Sequence, residues 1–555
     1  MFHYINKLLK KITPLHYLLA FIALIFLINS QYVAYPDEFV NILGGKFILE
    51  GKVPYRDFFD HHLPGAWWIS ALLLLFSFGS FVKFRFFWAI VQYLILFFVG
   101  RFISKRNREL FTFFMGFFLI YPFISVYYWT HLFIADGIAF LFFSALFWML
   151  FAESYETKHT FNTLIFLSLC NALFVFTSLS YIYIALIFYA WIFILFLRLK
   201  PKLKDYLTAF GISAIPYILY IIYLFITNSW KEFYISNVVY NTTLYMRVPN
   251  YTPGRFFNPL KFALTVIYNF YDTYIQLLVR IKEFNLYFPV DLVLALSTFL
   301  LLVILLKELP IIGIVYFFVL SFSAPRSNLM KIGETDYQSG LFIAIGTISF
   351  FLLLWRYKYI KFSFEPLEIV RKFLVAMVVL YGVFAALFLV QNTYNKFYMR
   401  DTQKMPSIND NPPSALFFNE IVQKDEYYWI GPYEPNEEFF IKAKLPGKFP
   451  TLLPQFRESE YFSSEFIKQF EAHNPKIIIY KHEASIFGTP AMEFGKFFTD
   501  WMEGKYISIE NIKGVTVLKS PETFTMRSDV YLLKSEKDIL LNRLIEKGYV
   551  SYSIK

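Results

Sequence analysis

The chain has 555 residues, 57% of them hydrophobic and 22% aromatic, with a mean hydropathy of +0.48; this excludes an ordinary soluble enzyme, in which charged residues approach a quarter. The net charge of +11 does not point to nucleic acid, because the basic clusters sit in short loops between apolar runs, where the positive-inside rule and anionic lipid account for them. The single cysteine, Cys170, lies inside an apolar run, which excludes an intrachain disulfide and a thiolate metal centre.

Apolar runs of roughly 16 to 21 residues recur from Leu18 to Val390, each matching the about 20 residues that span a bilayer core. Lys7, Lys10 and Lys11 precede the first run without an acid, which puts the N-terminus in the cytoplasm and the loop at 35–83 outside. That run lacks a small-residue cleavage site and reads as a retained anchor. The loop opens "YPDEFVNILGGKFILEGKVPYRDFFDHHLPGAWW". Its second half, Pro64 to Val82, is expected to lie along the outer interface as a juxtamembrane helix. If it crossed, the basic loop "RFISKRNRE" (Arg101 to Glu109) would fall outside.

With that choice "RLKPKLKD" (Arg198 to Asp205) and "RYKYIKFSFEPLEIVRK" (Arg356 to Lys372) come out cytoplasmic. "YYWTHLFIAD" (Tyr128 to Asp136), Thr227 to Pro289 and "SAPRSNLMKIGETDYQSG" come out external. Phe262 to Val279 carries Asn269 and Asp272 and reads as an interfacial helix. About eleven crossings result. The expected fold is therefore a polytopic α-helical membrane domain over 1–395, followed by an external soluble domain over 396–555. In the latter, strand-like "YYWI" and "KIIIY" alternate with helix-like "SEFIKQFEAHN" and "AMEFGKFFTDWMEG", a small α/β domain from about 400 to 520. No metal-ligand spacing and no glycine-rich phosphate loop occurs there. From Glu522 onward a charged tail is expected, with one helix near Lys537 to Lys547.

The chemistry-bearing residues gather on the external side. Asp37 and Glu38 follow the first apolar run, presented by Pro36. "GKVPYRDFFDHHLPG" adds Arg56, Asp57, Asp60, His61 and His62; Asp136 starts another crossing from that side, near His131, and "PRSNLMKIGETDY" brings Arg326, Lys331 and Tyr337. Charges at a membrane edge are costly without a partner or a purpose. Several of these residues also have ordinary uses: His61 and His62 suit an interface beside Trp67 and Trp68, and Asp57 and Asp60 suit surface pairing with Arg56 or Lys52.

The first span followed at once by Asp37-Glu38, the stretch "GKVPYRDF" leading to "HHLPG", the following "FGSFVKFR" and Asp136 in the second external loop resemble the GT-C superfamily of membrane glycosyltransferases. The pattern is most similar to bacterial relatives of protein O-mannosyltransferases and of lipid A aminoarabinose transferases. It covers roughly residues 15 to 395 and departs at Asp336-Tyr337, where relatives often carry His-Tyr. The resemblance implies transfer of a sugar from a polyprenyl-phosphate donor to a glycan, lipid or protein acceptor at the outer face of a bacterial cytoplasmic membrane, with inversion. It implies Asp37 as the general base with Glu38 in reserve, and Asp136 in support. Arg56, Arg326 and Lys331 become the cations for the leaving phosphate, with Arg247 and Arg255 in reserve, and Asp57, His61, His62, His131 and Tyr337 the substrate contacts. The superfamily has metal-dependent and metal-independent members; where Mg or Mn serves, Asp37 and Asp136 are the expected ligands. A transporter or flippase of lipid-linked sugars is the rival reading, but internal repeats and mid-membrane charges, its expected marks, are missing from the sequence.

Overall fold

The computed structural model describes residues 13–156, 159–177, 181–245, 264, 268, 288–323, 337, 340–357, 365–402 and 411–553. These divide into two compact units.

The first unit takes in the described residues up to Ala34, from Phe76 to Tyr220 and from 264 to 402, and it is helical throughout. Among the described residues five helices are long and apolar enough to cross a membrane: Phe81–Ser104, Arg108–Tyr127, Ala135–Ser154, Leu203–Ile226 and Glu368–Asn395. Shorter apolar helices include Pro14–Asn29, Phe161–Thr177, Ile182–Leu197, Pro310–Phe322 and Gly340–Arg356. This is the makeup of a helical membrane protein. The starts follow from local chemistry. The Ser80 side chain accepts from Lys83 N, and Asn107 Oδ1 accepts from Leu110 N, each satisfying an amide left open at a first turn.

Burial sorts these helices. Ala135–Ser154 is 94% buried within the protein, whereas Leu203–Ile226 is 11% buried and exposes Leu207, Phe210, Leu219 and Phe225. A continuous apolar face of that size belongs against lipid.

Polar contacts mark the two ends of this unit. Glu153, buried at the end of Ala135–Ser154, receives Arg106 Nε at 2.7 Å and pairs with His159 at 3.0 Å, while Arg198 Nη1 donates to Ser154 O at 3.0 Å. The Arg356 guanidinium lies 4.9 Å from the Tyr155 ring. The basic segments at 101–109, 198–205 and 356 thus meet at one end. At the N-terminus of Ala135–Ser154, about 30 Å away at 1.5 Å per residue, fully buried Arg85 donates to Tyr32 O at 3.1 Å and Val33 O at 2.8 Å. Trp88 and Gln92 both donate to His131 O there. Residues 33 and 85 bracket the loop segment, so the chain leaves and re-enters the unit at the same end. The helix Gly65–Ser77 between them, at about 20 Å, falls short of a bilayer core.

The second unit combines Tyr35–Leu75, the described residues from Ile221 to 245, and 411–553. Its centre is a mixed four-stranded sheet in the order Tyr428–Gly431, Ile477–Tyr480, Val530–Leu533, Tyr506–Ser508. The first pair is parallel and the others antiparallel. Side chains alternate across it, as a pleated strand requires. Tyr428, Ile430, Ile477, Ile479, Val530 and Leu532 enter one core, shared with helices Pro413–Ile421 and Lys537–Glu546. Trp429, Ile478 and Tyr480 enter the other, shared with Glu460–Ala472 and Lys496–Lys505. One expectation is corrected here: the segment after Glu522, read as a charged tail, supplies the internal strand Val530–Leu533, while the helix expected near Lys537 to Lys547 is present as Lys537–Glu546 and packs into the core. Four residues flanked by Asp529 and Lys534 are too short a run to stand out from their charged neighbours.

Candidate functional site

Within the second unit, Pro36 opens the helix Pro36–Leu49 and sets Asp37 and Glu38 in its first turn, where the helix dipole favours negative charge. Glu38 is completely buried, and Asp37 is half-buried. Asp37 Oδ1 accepts a 2.8 Å hydrogen bond from Tyr433 Oη. Burial, and after it the Asp37 charge, raises the Tyr433 hydroxyl pKa well above its ordinary value, so the tyrosine stays a donor. The helix is anchored by Lys46, whose Nζ donates to Phe439 O at 2.9 Å and Ile441 O at 3.0 Å.

Behind Tyr433 the short helix Pro435–Glu438 buries Glu437 and Glu438. Burial, then the charge of Glu434, pushes the Glu437 carboxyl up to about 7 and Glu438 well above its ordinary value. Glu434 is raised by burial although Lys481 pairs with it at 2.6 Å.

Farther along the loop, Arg56 clasps Asp57 with two 2.8 Å bonds and gives its remaining arm to Thr227 O at 3.0 Å. This fork is already used within the protein. Phe59 then enters the sheet core, packing on Tyr240, Phe449, Phe456 and Phe462, and its amide donates to Lys448 O at 2.7 Å. The next three residues are pinned by that anchor. Asp60 is buried; its Oδ1 accepts from His62 N at 3.0 Å and lies 2.8 Å from His62 Nδ1 and 3.7 Å from His61 Nδ1. Burial alone would raise the Asp60 carboxyl, but the two imidazoles and the His62 donors outweigh it and hold the carboxyl below its usual value.

The other expected residues fall elsewhere. Asp136 and His131 belong to the first unit: Asp136 accepts from the Tyr181 hydroxyl, and His131 is buried with its Nδ1 3.3 Å from Ser125 O. Asp37 and Asp136 thus lie in different units, neither of which by itself assembles an oxygen shell from the pair. Tyr337 is half-buried. Arg326 and Lys331, with Arg247, Arg255 and the interfacial helix expected over Phe262 to Val279 apart from Leu264 and Tyr268, lie outside the described residues.

Sequence reading missed Tyr433, Tyr240 and the amides of Asn237 and Asn241, which face the loop from far along the chain. The only local signal was the "NTT" at Asn241, a sequon in form; in the fold its amide donates to His61 O at 2.9 Å. No protein-family profile, curated protein or solved structure matches this chain.

Proposed function

We propose that the protein is a membrane glycosyltransferase of GT-C type, moving a sugar from a polyprenyl-phosphate donor to an acceptor at the outer face of the cytoplasmic membrane. The single observation that carries this reading is Asp37, held in the first turn of a helix directly after the first apolar helix and oriented by the Tyr433 hydroxyl at 2.8 Å. A carboxylate fixed in this way suits a general base. In the reaction the acceptor O–H loses its proton to Asp37 as the oxygen bonds to the anomeric carbon. The bond from that carbon to the phosphate oxygen breaks with inversion, and polyprenyl phosphate leaves with the electron pair. Arg326 and Lys331 are the cations assigned to that charge; Arg56, clasped by Asp57, is the weaker candidate. Asp136 supports the substrate. About eleven crossings, a cytoplasmic N-terminus and an external sheet domain complete the proposal.

The test is turnover in detergent. Purified protein given a polyprenyl-phosphate monosaccharide and a panel of acceptors should release polyprenyl phosphate and form a glycosidic bond, and Asp37→Asn should abolish this while the protein stays folded. Movement of intact lipid-linked sugar across proteoliposomes, with no turnover in detergent, would replace the transferase reading by the transporter.

A further inference from the structure

We propose that Asp60, His61 and His62 form a binding site for a divalent transition metal of the zinc class. The three side chains offer one carboxylate oxygen and two imidazole nitrogens, all within 4.8 Å of one another. A tetrahedral zinc ion, with bonds of about 2.0 to 2.2 Å, wants its ligands about 3.3 Å apart. The observed separations from Asp60 Oδ1, 2.8 Å to His62 Nδ1 and 3.7 Å to His61 Nδ1, straddle that value, so small side-chain rotations admit the ion. Borderline-soft imidazoles with one carboxylate select zinc and its neighbours over magnesium or calcium, which prefer oxygen alone.

A simple ion pair needs only one histidine on Asp60, yet two are brought to the same oxygen, with ring centroids 4.1 Å apart. Their backbone is clamped as well. Tyr55 Oη donates to His62 O at 2.9 Å and Asn241 Nδ2 to His61 O at 2.9 Å. Asn237, with its amide nitrogen turned inward, reaches His62 O at 3.2 Å and His61 O at 3.3 Å. These contacts hold the main chain that carries both rings and so limit how far the rings can move from the shared oxygen. Tyr240 is wholly buried beside the cluster, its ring 5.4 Å from that of His61, and its hydroxyl has no hydrogen-bond partner among the described residues. A metal-bound water or the metal itself would give that hydroxyl a partner. Asp60, His61 and His62 are distinct from Asp37 and Tyr433, and metal uptake is read without turnover, so failure of this reading is distinguishable from failure of the transferase reading.

The test uses the full chain in detergent, stripped with chelator and titrated with Zn²⁺ and with Co²⁺ as a spectroscopic probe. One equivalent should bind, Co²⁺ should give a ligand-field band in the visible, and Zn²⁺ should raise the melting temperature. The triple variant Asp60→Asn, His61→Asn, His62→Asn should lose all three signals. Asn241→Ala, which removes a clamp on the His61 main chain but no ligand, should measurably weaken Zn²⁺. If the wild-type protein takes up no stoichiometric metal, Asp60 and His62 are an ion pair and the proposal falls. It falls equally if the triple variant folds and binds with unchanged affinity. Should the triple variant fail to fold, the wild-type stoichiometry and the Asn241→Ala shift still decide.

Discussion

Tyr433 stands 396 positions along the chain from the carboxylate it bonds, and its contribution can be separated from that of Asp37 itself. Tyr433→Phe keeps the ring and deletes only the hydroxyl, a hydrogen bond to a charged group that contributes about 1.5 to 3 kcal/mol. If Asp37 is the base, kcat should fall about tenfold or more, with donor KM little changed because the phosphate is held elsewhere. Steady-state turnover against lipid-linked donor measures the split. Unchanged kcat in this variant would mean that the Tyr433 bond is structural and that Asp37 does not act through it. Arg56 invites the opposite expectation to the one its position in the loop suggested. Its fork is filled by Asp57 and Thr227 O, so Arg56→Ala should weaken donor use less than removal of Arg326, as competition assays with polyprenyl phosphate would show.

Two short elements hold the loop segment to the sheet, and each makes its own demand on stability. The turn that ends at Phe59 is fixed by four aromatic neighbours, so Phe59→Ala should destabilise the second unit by about 3 to 5 kcal/mol. Denaturant melts and protease sensitivity would report it. Leu518→Ala, at a 61% exposed position, should shift stability by less than about 0.5 kcal/mol. The helix Pro435–Glu438 imposes a pH dependence. Folded Glu437 keeps its proton up to about 7, while the unfolded chain releases it near 4.5. The stabilising effect is therefore fully present below pH 4.5 and is lost as pH rises through 7, by as much as about 3 kcal/mol. Melting temperatures measured from pH 4.5 to 7.5 should fall less steeply in Glu437→Gln than in the wild type; parallel curves would remove Glu437 from the account. These elements also show the limit of sequence reading. Hydropathy marked the strands Tyr428–Gly431 and Ile477–Tyr480 because four apolar residues in a polar neighbourhood are a local signal. Val530–Leu533 escaped because charges crowd it. Tyr240, Asn241 and Tyr433 escaped for a different reason: their roles depend on contacts formed only when distant segments meet.

At the scale of the whole molecule, composition carried the membrane character, since exposed apolar faces such as that of Leu203–Ile226 need long runs of Leu, Ile and Phe that no other solvent tolerates. The direction of insertion is a separate matter, set by where the positive charge lies. Arg106, Arg198 and Arg356 meet at the Glu153 end of the first unit, and Arg85 holds residues 32 and 33 at the other. One end is thus rich in loop cations, and at the other the chain leaves the unit after residue 33. The basic end should therefore face the cytoplasm, and the chain's single cysteine makes the expectation testable. In a Cys170→Ala background, a cysteine is placed at Ser104, Lys200 or Ser464, all exposed in the structure. A membrane-impermeant maleimide applied to intact cells should label position 464 and leave 104 and 200 unlabelled until the membrane is opened. Labelling of 104 and 200 with protection of 464 would invert the molecule. Asp37 would then face the cytoplasm with the sheet domain, where nucleotide sugars are available, and the lipid-linked donor would lose its rationale.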